Sequence, residues 1–449
     1  MKPKTAILLI LAIVLVAAGA YAVAEYNSAS RSAEAMAQMN QAEGDGGTAA
    51  QESTATEQST AEGQSTDAGQ EIAAGQGTAE QQITAQEQGA AASGSAVTAG
   101  TTEAAGTASA QTASAISQPA AEPSLRFIAV GDIMLGRGVG MRLRKNGGYE
   151  SAFSGVSSIL RQGDVVFANL ESPLTNSTHG LDSKRKIVLK GKPEAVGALT
   201  SAGINLVSIA NNHMMDYYET GLFDTMSVLS ANHILFAGGG KDIEEARKPA
   251  ILEKNGLKIG MVASSDMAEL VFAGEPYLKY AAEKNKSGIL PRKYETIRED
   301  IQKLRSQVDL VVVSLHWGVE DSFKVTQEQK DFARKLIDDG ADIILGHHPH
   351  QFQGIEVYKG KPILYSMGNF LFDQNEAENM ESFIVDMHYK GRELTGLSAI
   401  PVRILDKSRV EVQTGEKASN LLAREAGLCE ELGSPPDILN DQLVFSIED

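Results

Sequence analysis

The chain has one cysteine and one tryptophan in 449 residues. With Cys429 alone, neither an intrachain disulfide nor a multi-cysteine zinc site is possible. The shortage does not exclude export, because a domain with a large core does not need disulfides. Aromatics are missing altogether from residues 27–124, and so are basic residues apart from Arg31. Twelve acidic side chains give that stretch a net −11 (+1 and −12), out of −18 for the chain. The rest of it is mostly Ala, Gly, Ser, Thr and Gln. Such a segment cannot bury enough apolar surface to offset the entropy of ordering, so it reads as a disordered linker. The acidity argues against a nucleic-acid partner, which needs a basic stripe.

What is present begins with Lys2 and Lys4, followed by an uncharged apolar run over residues 6–24. Nineteen helical residues span about 28 Å, close to the hydrocarbon thickness of a bilayer. Residues 1–26 therefore read as an N-terminal membrane anchor. The lysines predict a cytoplasmic N-terminus and a translocated remainder, that is, a single-pass cell-membrane protein with an extracytoplasmic domain. A cleavable signal peptide, and hence a secreted protein, is the alternative. Ala20-Tyr21-Ala22 and Ala22-Val23-Ala24 both fit the small-residue cleavage pattern. No cysteine follows the apolar run, which excludes a lipoprotein. The flexible linker has a root-mean-square span of about 55 Å and acts as a spacer.

The fold must then come from the remainder, with a domain over residues 125–411 and a C-terminal extension over 412–449. Apolar runs at 125–130, 164–168, 205–210, 258–263, 309–315 and 342–345 predict strands. Helix-like segments at 149–161, 192–202, 291–307 and 326–340 lie between several of them. This alternation predicts an α/β domain with buried strands. Asn255-Gly256 and Lys359-Gly360 predict two hairpin turns.

The unusual polar residues come directly after the strand-like runs. Asp132 follows the first run, and Asn169 and Glu171 the second. Asn211, Asn212 and His213 follow the third, His316 the fifth, and His347, His348 and His350 the sixth. In open α/β sheets the ligand crevice lies outside the carboxyl ends of the strands. Five of the eight histidines sit at these ends. If the segment GHHPH is extended, His348 and His350 face one pocket together and His347 points elsewhere. Carboxylate, amide and imidazole donors without a thiolate suit a divalent ion such as Mn, Fe or Zn. Asp132, Glu171, Asn212, His316, His348 and His350 are the candidate ligands, enough for one or two ions. Two ions about 3.5–4 Å apart can share a carboxylate and activate a water. Arg137 is a candidate clamp for an anionic group. Asp216 is placed to orient the His213 ring. Asn369 and Trp317 each divide between a site role and a packing or turn role.

The ordered motifs GDIMLGR, NLESPLT, ANNHMMDY, SLHWG and GHHPHQFQGIEVYKGKPILYSMGNFLFD resemble the bacterial capsule-synthesis CapA family, which includes PgsA-like proteins of poly-γ-glutamate synthesis. The resemblance covers residues 125–373. That family is similar in turn to calcineurin-like metallophosphoesterases. The likeness implies a two-sheet α/β sandwich with helices outside. It matches Asp132 to the first metal aspartate and puts Glu171 at the bridging position. It makes Asn212 a ligand, His213 the acid, and His316, His348 and His350 the remaining ligands. Two departures are Met134, where phosphoesterases carry Asp-x-His, and Glu171, which is longer than Asp. The resemblance implies partners in a capsule polymer or its membrane synthase subunits. Two readings stay open. One is a metal-dependent hydrolase of phosphoester or polymer linkages. The other is a non-catalytic assembly or export factor that uses metal for binding or structure.

Overall fold

The computed structural model describes residues 122–181, 187–269 and 279–447. The expected anchor and almost all of the expected linker lie outside them. Among the described residues no helix is long and apolar enough to cross a membrane.

Along the chain the first elements are β1 (Ser124–Ile133), α1 (Arg137–Lys145), β2 (Val165–Leu170), α2 (Val196–Ala202), β3 (Leu206–Ser208), α3 (Tyr218–Ala231), β4 (Leu235–Ala237) and β5 (Gly239–Gly240). Next come β6 (Ala250–Lys254), β7 (Leu257–Ser265), β8 (Gly288–Ile289), α4 (Tyr294–Arg305), β9 (Leu310–His316), α5 (Gln327–Asp338) and β10 (Ile343–His347). The last part holds β11 (Ile355–Tyr358), β12 (Lys361–Leu364), β13 (Asn369–Leu371), β14 (Glu381–Lys390), β15 (Glu393–Leu405) and β16 (Arg409–Val412). It closes with α6 (Glu416–Glu431), β17 (Asp437–Leu439) and β18 (Gln442–Phe445).

Each of the six expected strand runs overlaps a strand: β1, β2, β3, β7, β9 and β10. Both hairpins form, β6–β7 and β11–β12. Their turn residues Asn255 and Gly256 (φ 51° and 81°) and Lys359 and Gly360 (φ 52° and 68°) are left-handed, as tight hairpins require. Helix α5 starts on a capping box between Thr326 and Gln329. The helix expected over 149–161 is instead a 3-10 turn at Tyr149–Ser151 and a short helix at Ser157–Leu160. Between them Gly155 bridges to Glu411, which draws the chain off the helical path.

Ten strands form one sheet in the order β17-β18-β15-β14-β1-β2-β3-β4, with β13 also on β1 and β16 on β15. Six form a second, in the order β11-β12-β10-β9-β7-β6. Strand alternation divides the core in two directions. Val165 and Phe167 of β2, Leu310 and Val312 of β9, and Ile343 and Leu345 of β10 meet in one cluster between the sheets. Val166 and Ala168 instead pack outward with Leu143, Leu199 and Leu222 of α1, α2 and α3. Val311, Val313 and Ile344 pack outward with Ile301, Leu304, Ala333 and Leu336 of α4 and α5. The result is a mixed α/β sandwich of two sheets with helices on the outer faces. The stretch expected as a C-terminal extension is built into it. β18 pairs with β15. Leu421, Leu422 and Cys429 of α6 join Leu443 and Phe445 of β18 in the inter-sheet core.

One irregularity decides where the chemistry faces. Ala129 pairs with Phe167, but Asp132 pairs with Asn169, so β1 carries one extra residue there. An extra residue reverses the parity of a strand. Leu125, Phe127 and Ala129 face the opposite sheet. In a regular strand Asp132 would point outward among the helices; the bulge turns it inward. Gly131 stands at the bulge, and a Cβ there would strike the carbonyl oxygens of Gly368 and Met367. The Gly368 carbonyl accepts the Asp132 amide at 2.8 Å. Gly131→Ala is therefore expected to destabilise the domain by about 1–3 kcal/mol through overpacking. A Tm lowered by a few degrees in thermal unfolding is the check; an unchanged Tm would show that the bulge tolerates a methyl group.

Candidate metal centre

Inner-face positions that are apolar along each strand turn polar at its carboxyl end. The β2 series Val165, Phe167 ends in Asn169, and the β10 series Ile343, Leu345 ends in His347. The β9 series runs from Leu310 and Val312 through Ser314 to His316. Register aligns these ends into two rows. Asp132 lies between Asn169 on β2 and Asn369 on β13. His316 lies between His347 on β10 and Ser265 on β7. The rows meet across the rim of the sandwich. His347 Nδ1 is 2.9 Å from Asp132 Oδ1. Asn169 Nδ2 lies 2.9 Å from the same oxygen and 3.5 Å from His316 Nδ1.

Loops beyond the strand ends supply the remaining groups. Glu171 is fully buried after β2, and ligand atoms of Asp132, Glu171 and His316 all lie within 4.8 Å of one another. His350 Nε2 is 4.0 Å from Glu171 Oε1, and its Nδ1 is 3.8 Å from Asp132 Oδ2. Asn212 Oδ1 lies 3.1 Å from His316 Nε2. The His348 and His316 rings are 4.8 Å apart, and the His348 amide donates to Asp132 at 3.3 Å. All six residues expected as ligands thus lie together. His213, buried at the rim, has Nδ1 2.7 Å from Asp216 Oδ2. That carboxylate oxygen also accepts the Leu189 amide at 2.7 Å. Arg137 does not enter the cluster. Its guanidinium pairs with Asp373 at 2.7 Å and stays about a third exposed (31%). It flanks the centre, since the adjacent Phe372 packs edge-on to the His350 ring at 5.0 Å.

The expected geometry of GHHPH needs correction. The segment is not extended, because His348 (φ 98°) and His350 (φ 59°) are left-handed. β10 continues through His347, which therefore keeps the inward face of Leu345 and binds Asp132. The sequence marks His347, Asn169 and Asn211 as polar residues at strand ends, but assigns none of them a specific place in the centre. The signal for His347 was the parity of β10. Asn211 donates to the Asn169 side-chain oxygen at 3.1 Å and so fixes the amide that reaches Asp132. Asn369 accepts at 2.9 Å from His350 Nδ1, which gives it a place in the site. Trp317 belongs to the outer core, where its indole donates to the Tyr365 carbonyl at 3.0 Å. Met134 is also core, its sulfur accepting the Gly136 amide at 3.0 Å.

The donor set fits a divalent cation. It combines two carboxylates, an amide and three imidazoles, and no thiolate. His348 Nδ1 is buried with no hydrogen-bond partner, a costly arrangement that a bound ion would relieve. Two of the imidazoles, His316 and His348, are pushed toward the uncharged form that ligates metal. Burial, then the neighbouring His348, His347, His350 and His213, keep His316 well below the usual imidazole range. Burial pushes His348 down to about 4, against the pull of Glu320. Burial opposes ionisation of Asp132, but the His347 hydrogen bond, the His347 and His350 charges and the Asn169 hydrogen bond outweigh it and lower its pKa.

Residues 126–374 match the sequence signature of the bacterial capsule synthesis protein family PGA_cap. The chain belongs to that family. A similar protein is the PGA biosynthesis protein CapA of Bacillus subtilis, 33% identical over 66% of this chain and 76% of that one. Another is the capsule biosynthesis protein CapA of Bacillus anthracis, 32% identical over 66% of this chain and 74% of that one. A putative 5′-nucleotidase from Staphylococcus aureus, solved with alpha-ketoglutarate, covers 69% of this chain and 58% of its own, at 12% identity and a TM-score of 0.39. The PGA_cap region, which ends at residue 374, contains every residue of the centre named above.

Two of these imidazoles set a pH dependence. Their folded pKa values lie below the ordinary 6.5, so the unfolded chain takes up protons first as pH falls. Stability of the metal-free protein is expected to be full above about 6.5 and to fall toward pH 4, the folded value for His348. Thermal melts across that window should show a falling Tm, with a shallower slope in His348→Asn. A Tm that stays level from 6.5 to 4 would contradict the buried, neutral state of these rings.

Proposed function

We propose that this chain is a membrane-tethered, extracytoplasmic protein of capsule or poly-γ-glutamate synthesis whose buried centre binds divalent metal and hydrolyses a phosphoester or polymer linkage. The observation that carries the reading is the convergence of Asp132, Glu171 and His316 on one point, with their ligand atoms within 4.8 Å. Membership of the capsule family and the names of its relatives supply the setting. The tether rests on the apolar run at residues 6–24. In this reading Asp132, Glu171, Asn212, His316, His348 and His350 hold one or two ions of Mn, Fe or Zn. A bound ion supplies Lewis acidity, which acidifies a water and neutralises charge developing on oxygen. The protein does the rest. Asn169 and His347 keep Asp132 aligned. Asp216 holds His213 through Nδ1. Nε2 is then the atom that would pass a proton to the leaving group. Arg137 and Asp373 flank the approach. The capsule polymer or its synthase subunits, and the bilayer at the N-terminus, are the proposed partners; nucleic acid is not.

The second reading, a non-catalytic assembly or export factor, draws on Met134. Its side chain is buried in the outer core and spent on the Gly136 amide, so the position where phosphoesterases carry a histidine gives no ligand. Substitutions separate the two readings. His213→Ala is expected to keep metal content and Tm while lowering hydrolysis by about 10²–10⁴-fold, and with it polymer production in cells. His348→Ala should lose metal first, measured by elemental analysis of the purified protein. Normal polymer from His213→Ala would remove the hydrolase reading and favour the assembly factor.

A further inference from the structure

The chain is acidic, yet its charge reverses beside the metal centre. Residues 133–149 contain Arg137, Arg142, Arg144 and Lys145 and no acidic residue. Residues 187–193 contain Lys190 and Lys192 and again no acid. The fold joins these two stretches. Gly136 bridges to Gly191, which sets Lys190 and Lys192 beside the start of α1. Val139, Gly140 and Leu143 take the inward face of α1, so its four cations spread over the outward arc. Asp373 meets this surface and is taken up by Arg137. Glu150, the next acid along the chain, has a carboxylate oxygen against Gly197 of α2. Lys190 and Lys192 donate to the Ser177 carbonyl and the Asn176 amide oxygen. Among the described residues, no carboxylate pairs with Arg142, Lys145, Lys190 or Lys192.

Both stretches are fastened to the centre. α1 begins five residues after Asp132. The Leu135 amide donates to the Ser172 hydroxyl at 3.2 Å, next to Glu171. The Leu189 amide donates to Asp216, the partner of His213. We infer that α1 and residues 187–192 form a cationic ridge that binds a linear polycarboxylate and leads it to the metal centre. This rests on the capsule-polymer reading above for the identity of the anion, not for the ridge. The form of the ligand follows from the geometry. Asp132 and Glu171 have no exposed surface, while His213, His348 and His350 keep a slight exposure at the rim, which a flat lipid bilayer is ill-shaped to enter and the end of a single chain fits better. Cations spread over one helix of about 12 Å suit a ligand with repeating, well-separated charges.

The test is binding of fluorescein-labelled poly-γ-glutamate to the full-length protein in neutral detergent, read by anisotropy. Affinity should fall as salt rises from about 50 to 200 mM, because exposed charges are screened over that range. The double variant Arg142→Glu/Lys192→Glu turns two attractions into repulsions and should weaken binding about tenfold, with Tm unchanged. Arg142→Gln/Lys192→Gln should give a smaller loss in the same direction. Lys359→Gln, which removes an exposed cation from the β11–β12 turn and not from the ridge, should bind the polymer within about twofold of the parent. The unsubstituted protein keeps failures distinct, since polymer that is bound but not hydrolysed counts against the catalytic reading alone. Unchanged affinity in both double variants would overturn the ridge. So would a charge-reversal effect seen with phosphatidylglycerol nanodiscs or a DNA duplex but not with the polymer.

Discussion

Asp132 carries a charge into a place with no contact with water, and the groups that stabilise it come from both sheets. Asn169 reaches it from its own sheet and His347 from the other. The His348 amide adds a third donor from the loop beyond. A buried carboxylate without such donors would shift its pKa up or unfold the site. Much of the architecture serves this one requirement. The bulge in β1 turns the side chain inward, Gly131 makes room for the bulge, and the register of β9 with β10 brings the imidazoles opposite. The same contacts tie the two sheets together at their carboxyl rim, so folding the sandwich and assembling the centre are one event.

The centre is therefore rigid before any ligand arrives. Burial pushes His316 and His348 toward the neutral form, and the centre's carboxylates are oriented by amides that are themselves held. Asn211 fixes Asn169, and Asn369 faces His350 while donating to Gln374 and to the Asn379 carbonyl. Such supporting contacts tune metal sites as strongly as the ligands do. They also explain why amides are so frequent at these strand ends. An amide can accept from one neighbour and donate to another, which a carboxylate cannot do.

Much of this was readable before the structure. Within the strand runs, residues 127–130, 165–168 and 310–313 are buried on both faces, so they stand out as unbroken apolar stretches. The polar residues that follow them mark the rim. Two kinds of feature were not readable. Strands β14 and β15 alternate, with Phe383, Val385 and Met387 inward and Asp386 and His388 between, and no long apolar run announces them. The facing of individual histidines depended on parity. His347 belongs with Ile343 and Leu345 because the strand persists one residue further than its apolar part. The inward turn of Asp132 depends on a bulge that leaves only a glycine in the sequence. The C-terminal residues read only as an extension beyond the domain, being short and mixed in composition. Their value lies in covering apolar surface that earlier strands leave open.

The neighbours of β1 imply an order of assembly. On one side it pairs with β2, which follows soon after; on the other it pairs with β14, whose Asp386 meets Arg126 from 260 positions downstream. As the chain is made, β1 spends nearly the whole synthesis of the domain with one edge open. An open edge of Phe, Ile, Ala and Val is an invitation to pair with other chains. Closing so large a loop is slow, and the sheet cannot close at its centre until the last third of the domain exists. Folding from the full-length chain, after its emergence rather than during it, is the route this topology favours.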